Sequence, residues 1–141
     1  MARLKIEMPV DYQFETEMKV RISDINFGMH VGHDRFISML HEARFRFLRF
    51  LGYAGETDID GQSLLVSDLA VIYKSPAFLG DCLTIQVAVA EFNTYGCDFF
   101  YRVTDSKTGA LVLEAKTGGV FYDYAKKKVS PVPEPFVSKK T

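Results

Sequence analysis

Apolar and polar positions along this chain change period once, and the change separates two kinds of element. From Glu17 to Ile22, apolar Met18, Val20 and Ile22 alternate with Glu17, Lys19 and Arg21. A period of two predicts a strand with one buried face. From Asp34 to Leu51 the period lengthens: Phe36, Leu40, Ala43, Phe47 and Leu51 fall at spacings of four, three, four and four, which is one face of a helix. Ile37, Met39 and Leu48 widen that face, so a well-covered helix is expected. Asp34 suits its N-cap and Gly52 the position just past its end.

Beyond the helix the pattern predicts strands only. Ser63 to Tyr73 is a near-continuous apolar run broken by Ser67-Asp68. Leu83, Ile85, Val87 and Val89 alternate with smaller or polar residues, as do Cys97, Phe99, Tyr101 and Val103. Ser106-Lys107-Thr108-Gly109 is a turn into a last strand from Ala110 to Tyr122, with a bend expected at Gly118-Gly119. The tail from Ser130 to Pro135 holds three prolines and is expected to run extended over a surface. One long helix and about five longer strands form an α+β layout in which the sheet wraps the helix. No repeat or linker divides the chain, so residues 1–141 are expected to form a single domain.

At 141 residues the chain is long enough to bury its own core. A formal net charge of -1 lacks the basic excess of a nucleic-acid binder. The first residues carry no apolar run, and no stretch approaches the ~20 apolar residues of a membrane span. A soluble cytoplasmic protein is expected. Cys82 and Cys97 lie on one hairpin with its turn at Asn93-Thr94-Tyr95-Gly96; that register sets Cys97 opposite Phe92, about ten residues or roughly 30 Å from Cys82, so free thiols are expected.

The densest chemistry lies between strand and helix, in Asp24-Ile25-Asn26-Phe27-Gly28-Met29-His30-Val31-Gly32-His33-Asp34. A helix start collects N–H groups with no internal partner. Asn, His and Asp beside them suit chemistry on a carbonyl group. No phosphate loop or dinucleotide fingerprint appears, so no cofactor is expected. No third ligand completes a metal site with His30 and His33.

These residues resemble the hotdog-fold thioesterases, in particular the 4-hydroxybenzoyl-CoA thioesterase-like branch. Arg21, Asp24, Asn26, His30, Val31, Gly32 and His33, followed by Glu42-Ala43-Arg44, match its first block. Tyr73-Lys74-Ser75-Pro76-Ala77 and Gly80-Asp81-Cys82-Leu83 match its second. Val120-Phe121-Tyr122-Asp123 and the following prolines match its exit. The resemblance implies a hotdog fold, a homodimer or dimer of dimers, and an acyl-CoA substrate held between subunits. It also implies thioester hydrolysis, with an Asp as base or nucleophile and a backbone N–H near Gly32-His33 on the carbonyl.

The chain departs from the family at that Asp, where it has Asn26. An amide takes no proton near neutral pH and is a poor nucleophile. Three substitutes are open. His30 could be the general base, with Asn26 orienting substrate or water and Asp34 orienting the ring. Asp34 or Asp24 could supply the carboxylate. Glu42 could act from within the helix, about two turns beyond Asp34. Each also has a plain structural role: His30 and Asn26 as loop formers, Asp34 as N-cap, Asp24 as a loop acceptor, Glu42 as the i,i+4 partner of Arg46. Arg35, Arg44, Arg46 and Arg49 form a basic set expected to be solvated or ion-paired. Gly32, His33 and Ser67 are candidate substrate contacts. An acyl-CoA thioesterase is the expected function. A non-catalytic acyl-CoA sensor and a dehydratase acting on hydroxyacyl thioesters are the alternatives.

Overall fold

A computed structural model of the chain describes residues 2–139. The long helix α1 spans His33–Phe50. It buries Phe36, Met39, Leu40, Ala43, Phe47 and Leu48, so the stripe set by the spacing is the buried one. Ile37 stays 37% exposed and Leu51 only partly buried. The helix ends at the expected glycine. Gly52, at φ +99°, donates to the Arg49 carbonyl and Tyr53 to that of Leu48, the paired bonds of a Schellman stop.

Five longer strands, β1 (Phe14–Lys19), β2 (Ser63–Tyr73), β3 (Cys82–Ala90), β4 (Gly96–Asp105) and β5 (Leu111–Asp123), form one antiparallel sheet in the order β1-β3-β4-β5-β2. The two-residue β6 (Lys128–Val129) adds to β5. This is the expected hotdog arrangement. Phe47 packs between Phe14 and Phe99, at ring distances of 5.7 and 6.3 Å.

Three elements differ from expectation. Strand β1 starts and ends three residues early. The Asp24 carboxylate accepts the Arg21 N–H at 2.8 Å and closes a 3-10 turn over Ile22–Asp24, leaving Ile22 69% exposed. The tail is not merely extended. After Val132 N–H bonds the Thr94 carbonyl, a short helix α2 (Glu134–Lys139) drives Phe136 into the core. There it meets Tyr53, Phe92, Phe99 and Phe121. The hairpin β3–β4 pairs Ala90 with Asp98, one residue off the expected register. The two cysteines remain free.

The predicted break in β2 is a bulge. Pairing with β5 skips Ser67: Val66 opposes Gly119 and Asp68 opposes Gly118. An inserted residue flips side-chain parity. Val66 and Leu69 therefore share the face towards α1. Asp68 turns to the outer face, where it accepts Gly118 N–H and the Lys116 ammonium, both at 2.8 Å. That outer face is partly lined by Leu4–Glu7 of the N-terminal segment. No helix among the described residues is long and apolar enough to cross a membrane.

Candidate active site

The loop before α1 is folded back by its own polar groups. Ile25 bridges Val31, Asn26 N–H donates to the His30 carbonyl at 2.9 Å, and Met29 N–H to the Asn26 carbonyl at 3.0 Å. The Asn26 side-chain oxygen accepts Gly28 N–H at 2.9 Å, so this asparagine forms the turn as its type favours. Met29 closes it at φ +64°. His30 also bridges Phe78, and Val31 N–H bonds the Ala77 carbonyl. These bonds anchor the loop to the chain after β2.

Asn26 and His30 converge at Gly28. A Cβ there would stand 2.8 Å from His30 Nε2 and 3.4 Å from Asn26 Oδ1. Only a glycine leaves both groups in place. The ring of His30 meets Phe78 edge-on at 6.5 Å, and its Nδ1 lies 3.4 Å from the Val31 carbonyl oxygen.

Gly32, not Asp34, is the N-cap of α1. Its N–H is held by the Asp24 carbonyl at 3.1 Å, and its own carbonyl accepts Arg35 and Phe36 N–H. The N–H groups of His33 and Asp34 have no partner among the described residues. Two donors at a helix N-terminus suit a developing oxyanion. Asp34 falls in the first turn, and its Oδ1 curls back to within 2.8 Å of where a Gly32 Cβ would be. It makes no ion pair with His30 among the described residues, so the expected Asp34–His30 partnership is absent. The ring of His30 is fixed towards Gly28 and Phe78 instead.

Asn26, His30, His33, Phe36 and Tyr73 line one cavity of about 370 Å³, with Val31 and Lys74–Pro76. Tyr73 escaped the sequence reading as a functional residue, although it opens the Tyr-Lys-x-Pro-Ala block. Its hydroxyl donates to the His33 carbonyl at 2.7 Å. Burial, then the Asp34 carboxylate, pushes its phenol up.

The remaining candidates lie elsewhere. Asp24 and Glu42 face a separate cavity of about 430 Å³ with Arg21, Ser38 and Arg46. Glu42 is nine residues from His33, half a turn round the helix at 3.6 residues per turn, so the two cannot share a pocket. Its carboxylate pairs with Arg46, which also donates to Thr16 Oγ1 at 2.7 Å and the Glu17 carbonyl at 3.0 Å. Ser67 sits at the bulge over Gly118, turned from the helix side of the sheet and outside the Asn26–His30 cavity.

Arg44 of the basic set is ion-paired, to Glu56, but is buried rather than on a solvated face. It is 5% exposed. Its Nε donates to Glu56 Oε1 at 2.7 Å and its NH1 to Tyr101 Oη at 3.0 Å. The Tyr101 hydroxyl is also 2.8 Å from Thr117 Oγ1. Burial alone would lower the pKa of Arg44, but Tyr101 and Glu56 hold it above its ordinary value. Among the described residues no group of three or more His, Cys, Asp or Glu side chains is placed to hold a metal ion.

Comparison with known proteins agrees with this architecture. Over 84 residues the chain is 31% identical to the acyl-CoA thioesterase YbgC of Haemophilus influenzae. The match covers 58% of this chain and 62% of that relative, less than two thirds of its length. The crystal structure of a 1,4-dihydroxy-2-naphthoyl-CoA thioesterase from Synechocystis superposes with a TM-score of 0.81 at 21% identity, covering 89% of this chain and 93% of that one. A hypothetical protein from Thermus thermophilus superposes at 0.79 with 24% identity, covering 89% and 95%. At these identities the two structures speak for the fold. The family model of the thioesterase-like superfamily matches residues 20–139, nearly the whole of the chain that carries the helix, the sheet and the loop between them, and the chain belongs to that superfamily.

Proposed function

We propose that this protein hydrolyses acyl-CoA thioesters, with Asn26, His30 and the start of α1 as the reacting centre. The observation that carries this reading is the cavity where Asn26, His30 and His33 meet beside unpaired helix N–H donors. Membership of the thioesterase-like superfamily and the likeness to an acyl-CoA thioesterase support it.

In this reading the thioester carbonyl points at the N–H groups of His33 and Asp34, which stabilise the oxyanion as it forms. Asn26 occupies the position of the family's Asp and cannot accept a proton. It orients water or substrate through its amide, and His30 removes the proton from the attacking water. The water oxygen bonds to the carbonyl carbon. The C–S bond then breaks, and CoA leaves as a thiolate that takes up a proton, releasing the free acid.

A homodimer belongs to the same proposal. Strand β2 is a sheet edge of eleven residues, with Val66, Leu69 and Tyr73 exposed. An edge of that kind calls for a covering strand, and a second copy supplies one. Light scattering in solution checks the mass.

The test of activity is release of free thiol from a panel of acyl-CoAs, short, long and aromatic. Turnover of at least one is expected. Tight binding of acyl-CoA with no thiol release from any member would overturn the proposal in favour of a non-catalytic sensor. An amide at Asn26, where the resemblance implies a carboxylate, supports that second reading.

A further inference from the structure

On the face of the sheet turned from α1, one row of side chains crosses four strands. Ala88, Phe100, Lys116 and Ala70 stand opposite one another on β3, β4, β5 and β2. Ala88 and Phe100 are buried, yet neither belongs to the core cluster packed on α1. The segment before β1 covers this row. Leu4–Glu7 lie against Ala70, Phe100 and Lys116, and Tyr12 is close enough to Arg102 and Glu114, in the next row, to feel both charges. Gln13 opens this path. Its Oε1 accepts the Val89 N–H at 2.8 Å, one ladder position past the last pair of β1, Phe14 with Val87. The side chain replaces the strand there, and the backbone before it leaves the sheet edge for the face. The cover is weakly held. Residues 2–12 make no backbone–backbone hydrogen bond among the described residues. Ile6, Met8, Pro9 and Tyr12 are only half-buried, and a hollow of about 440 Å³ remains between Leu4–Glu7 and the sheet. A segment with few apolar contacts and no ladder bonds is among the first to open.

We infer that this segment is a strap that reserves the outer face of the sheet, and that the same face of a second copy takes its place when the strap is displaced. Charge selects a second copy as the partner. Arg102 stands opposite Glu114, and the Lys116 ammonium lies 2.8 Å from Asp68 and 3.4 Å from Asp98. Acids and bases set side by side meet their opposites when the same face is turned over about a two-fold axis. Shape agrees with charge. Between these charges the row holds two alanines and one ring, low enough for a second sheet to close to about 10 Å. The strap and the second copy need the same row of residues, so each excludes the other. With the strap seated, the outer face is closed and association is left to the edge of β2.

The experiment compares the full chain with a full-length variant carrying Ile6→Ser and Met8→Ser, which loosens the strap without adding charge. Light scattering over a range of concentrations gives the mass, and limited trypsin digestion gives the rate of cleavage after Lys5. Neither readout depends on whether the protein is a hydrolase. Cleavage after Lys5 should quicken about tenfold, the effect of losing part of one buried aliphatic surface on a segment in equilibrium with its open form. The mass should double. Ala70→Glu, added to the loosened variant, puts a longer charged side chain on the outer face and should return the mass to that of the unaltered chain while cleavage stays fast. That reversal separates association through this face from general aggregation. Faster cleavage with no change in mass would overturn the inference, and so would a doubled mass that survives Ala70→Glu. Unchanged cleavage would show that Ile6 and Met8 do not hold the segment, and loss of the fold, read by circular dichroism, would show that it is no removable cover. Either result also overturns the inference.

Discussion

The hydroxyl of Tyr73 donates a 2.7 Å hydrogen bond to the carbonyl oxygen of His33, tying the end of edge strand β2 to the first residue of α1. The bond fixes the helix start against the chain that returns from the sheet. Tyr73→Phe removes it with little change in shape. Its expected cost is about 1 kcal/mol of stability, with a several-fold larger relative loss in kcat/KM if the helix N–H donors lose their aim. Denaturant midpoints and thiol-release kinetics check both. The raised phenol pKa sets the pH window. The contribution is complete below the ordinary tyrosine value of 10.0 and disappears as pH rises through the higher folded value.

Three substitutions separate chemistry from loop structure. His30→Ala should lower kcat/KM by about 10² to 10⁴, the range for loss of a general base. Asn26→Ala should lower it by about 10², with some loss of stability because its oxygen holds Gly28 N–H. Gly28→Ala adds a methyl where His30 Nε2 already stands at 2.8 Å. It should depress activity while leaving the far side of the protein, and the Phe136 cluster, unaffected. Full activity in both His30→Ala and Asn26→Ala, with the fold intact, means the site lies elsewhere.

Removing one partner of a buried ion pair costs more than removing both. Glu56→Ala leaves Arg44 charged and 5% exposed. A loss of about 3 kcal/mol is expected, in the range for breaking such pairs. The double variant Arg44→Leu with Glu56→Leu should recover part of it. A double-mutant cycle by thermal unfolding measures the coupling, and additive losses would show that the pair is not energetically linked.

Phe136 enters the core from the first turn of α2. It is fully buried among four aromatic rings, so Phe136→Ala should cost about 3 to 5 kcal/mol. The unfolding midpoint decides this. A loss below 1 kcal/mol would mean that α2 does not hold its place in solution.

Cys97 is buried, and burial, followed by the neighbouring Asp98, pushes its thiol up to about 12. Little thiolate exists at neutral pH, and reactivity follows thiolate. Cys82 is only half-buried. A thiol-specific reagent should modify Cys82 readily and Cys97 only as the protein unfolds. Equal rates would contradict the packing around β4.

The sequence carried much of the fold. Period bounded α1 to within one residue, because burial on one face leaves a regular trace along the chain, and a near-continuous apolar run marked β2 to its observed ends. It misplaced β1, since what ended that strand was a carboxylate bond from Asp24 to Arg21 N–H, which leaves no periodic mark. It also left α2 unseen, since Phe136 is the one buried residue in that short helix and a single apolar residue makes no pattern.

The candidate site was legible in part. Asn26, His30 and His33 were singled out from eleven consecutive residues, and the fold does bring them into one cavity. Local turns place them, and local turns are written in adjacent residues. Asp24 and Glu42 were grouped with them by sequence proximity, but helix rotation sends them to another cavity, while Asp34 stays at the start of α1 beside Tyr73 without an ion pair to His30 among the described residues.

What the sequence determined by itself is the order of the elements, the buried stripe of α1 and the loop that gathers Asn26 and His30, since each depends on near neighbours. Only the tertiary structure decided that Arg44 is buried rather than solvated. Its acceptors, Glu56 and Tyr101, stand twelve and 57 residues away, and a charge can leave water only where the fold has already assembled its partners.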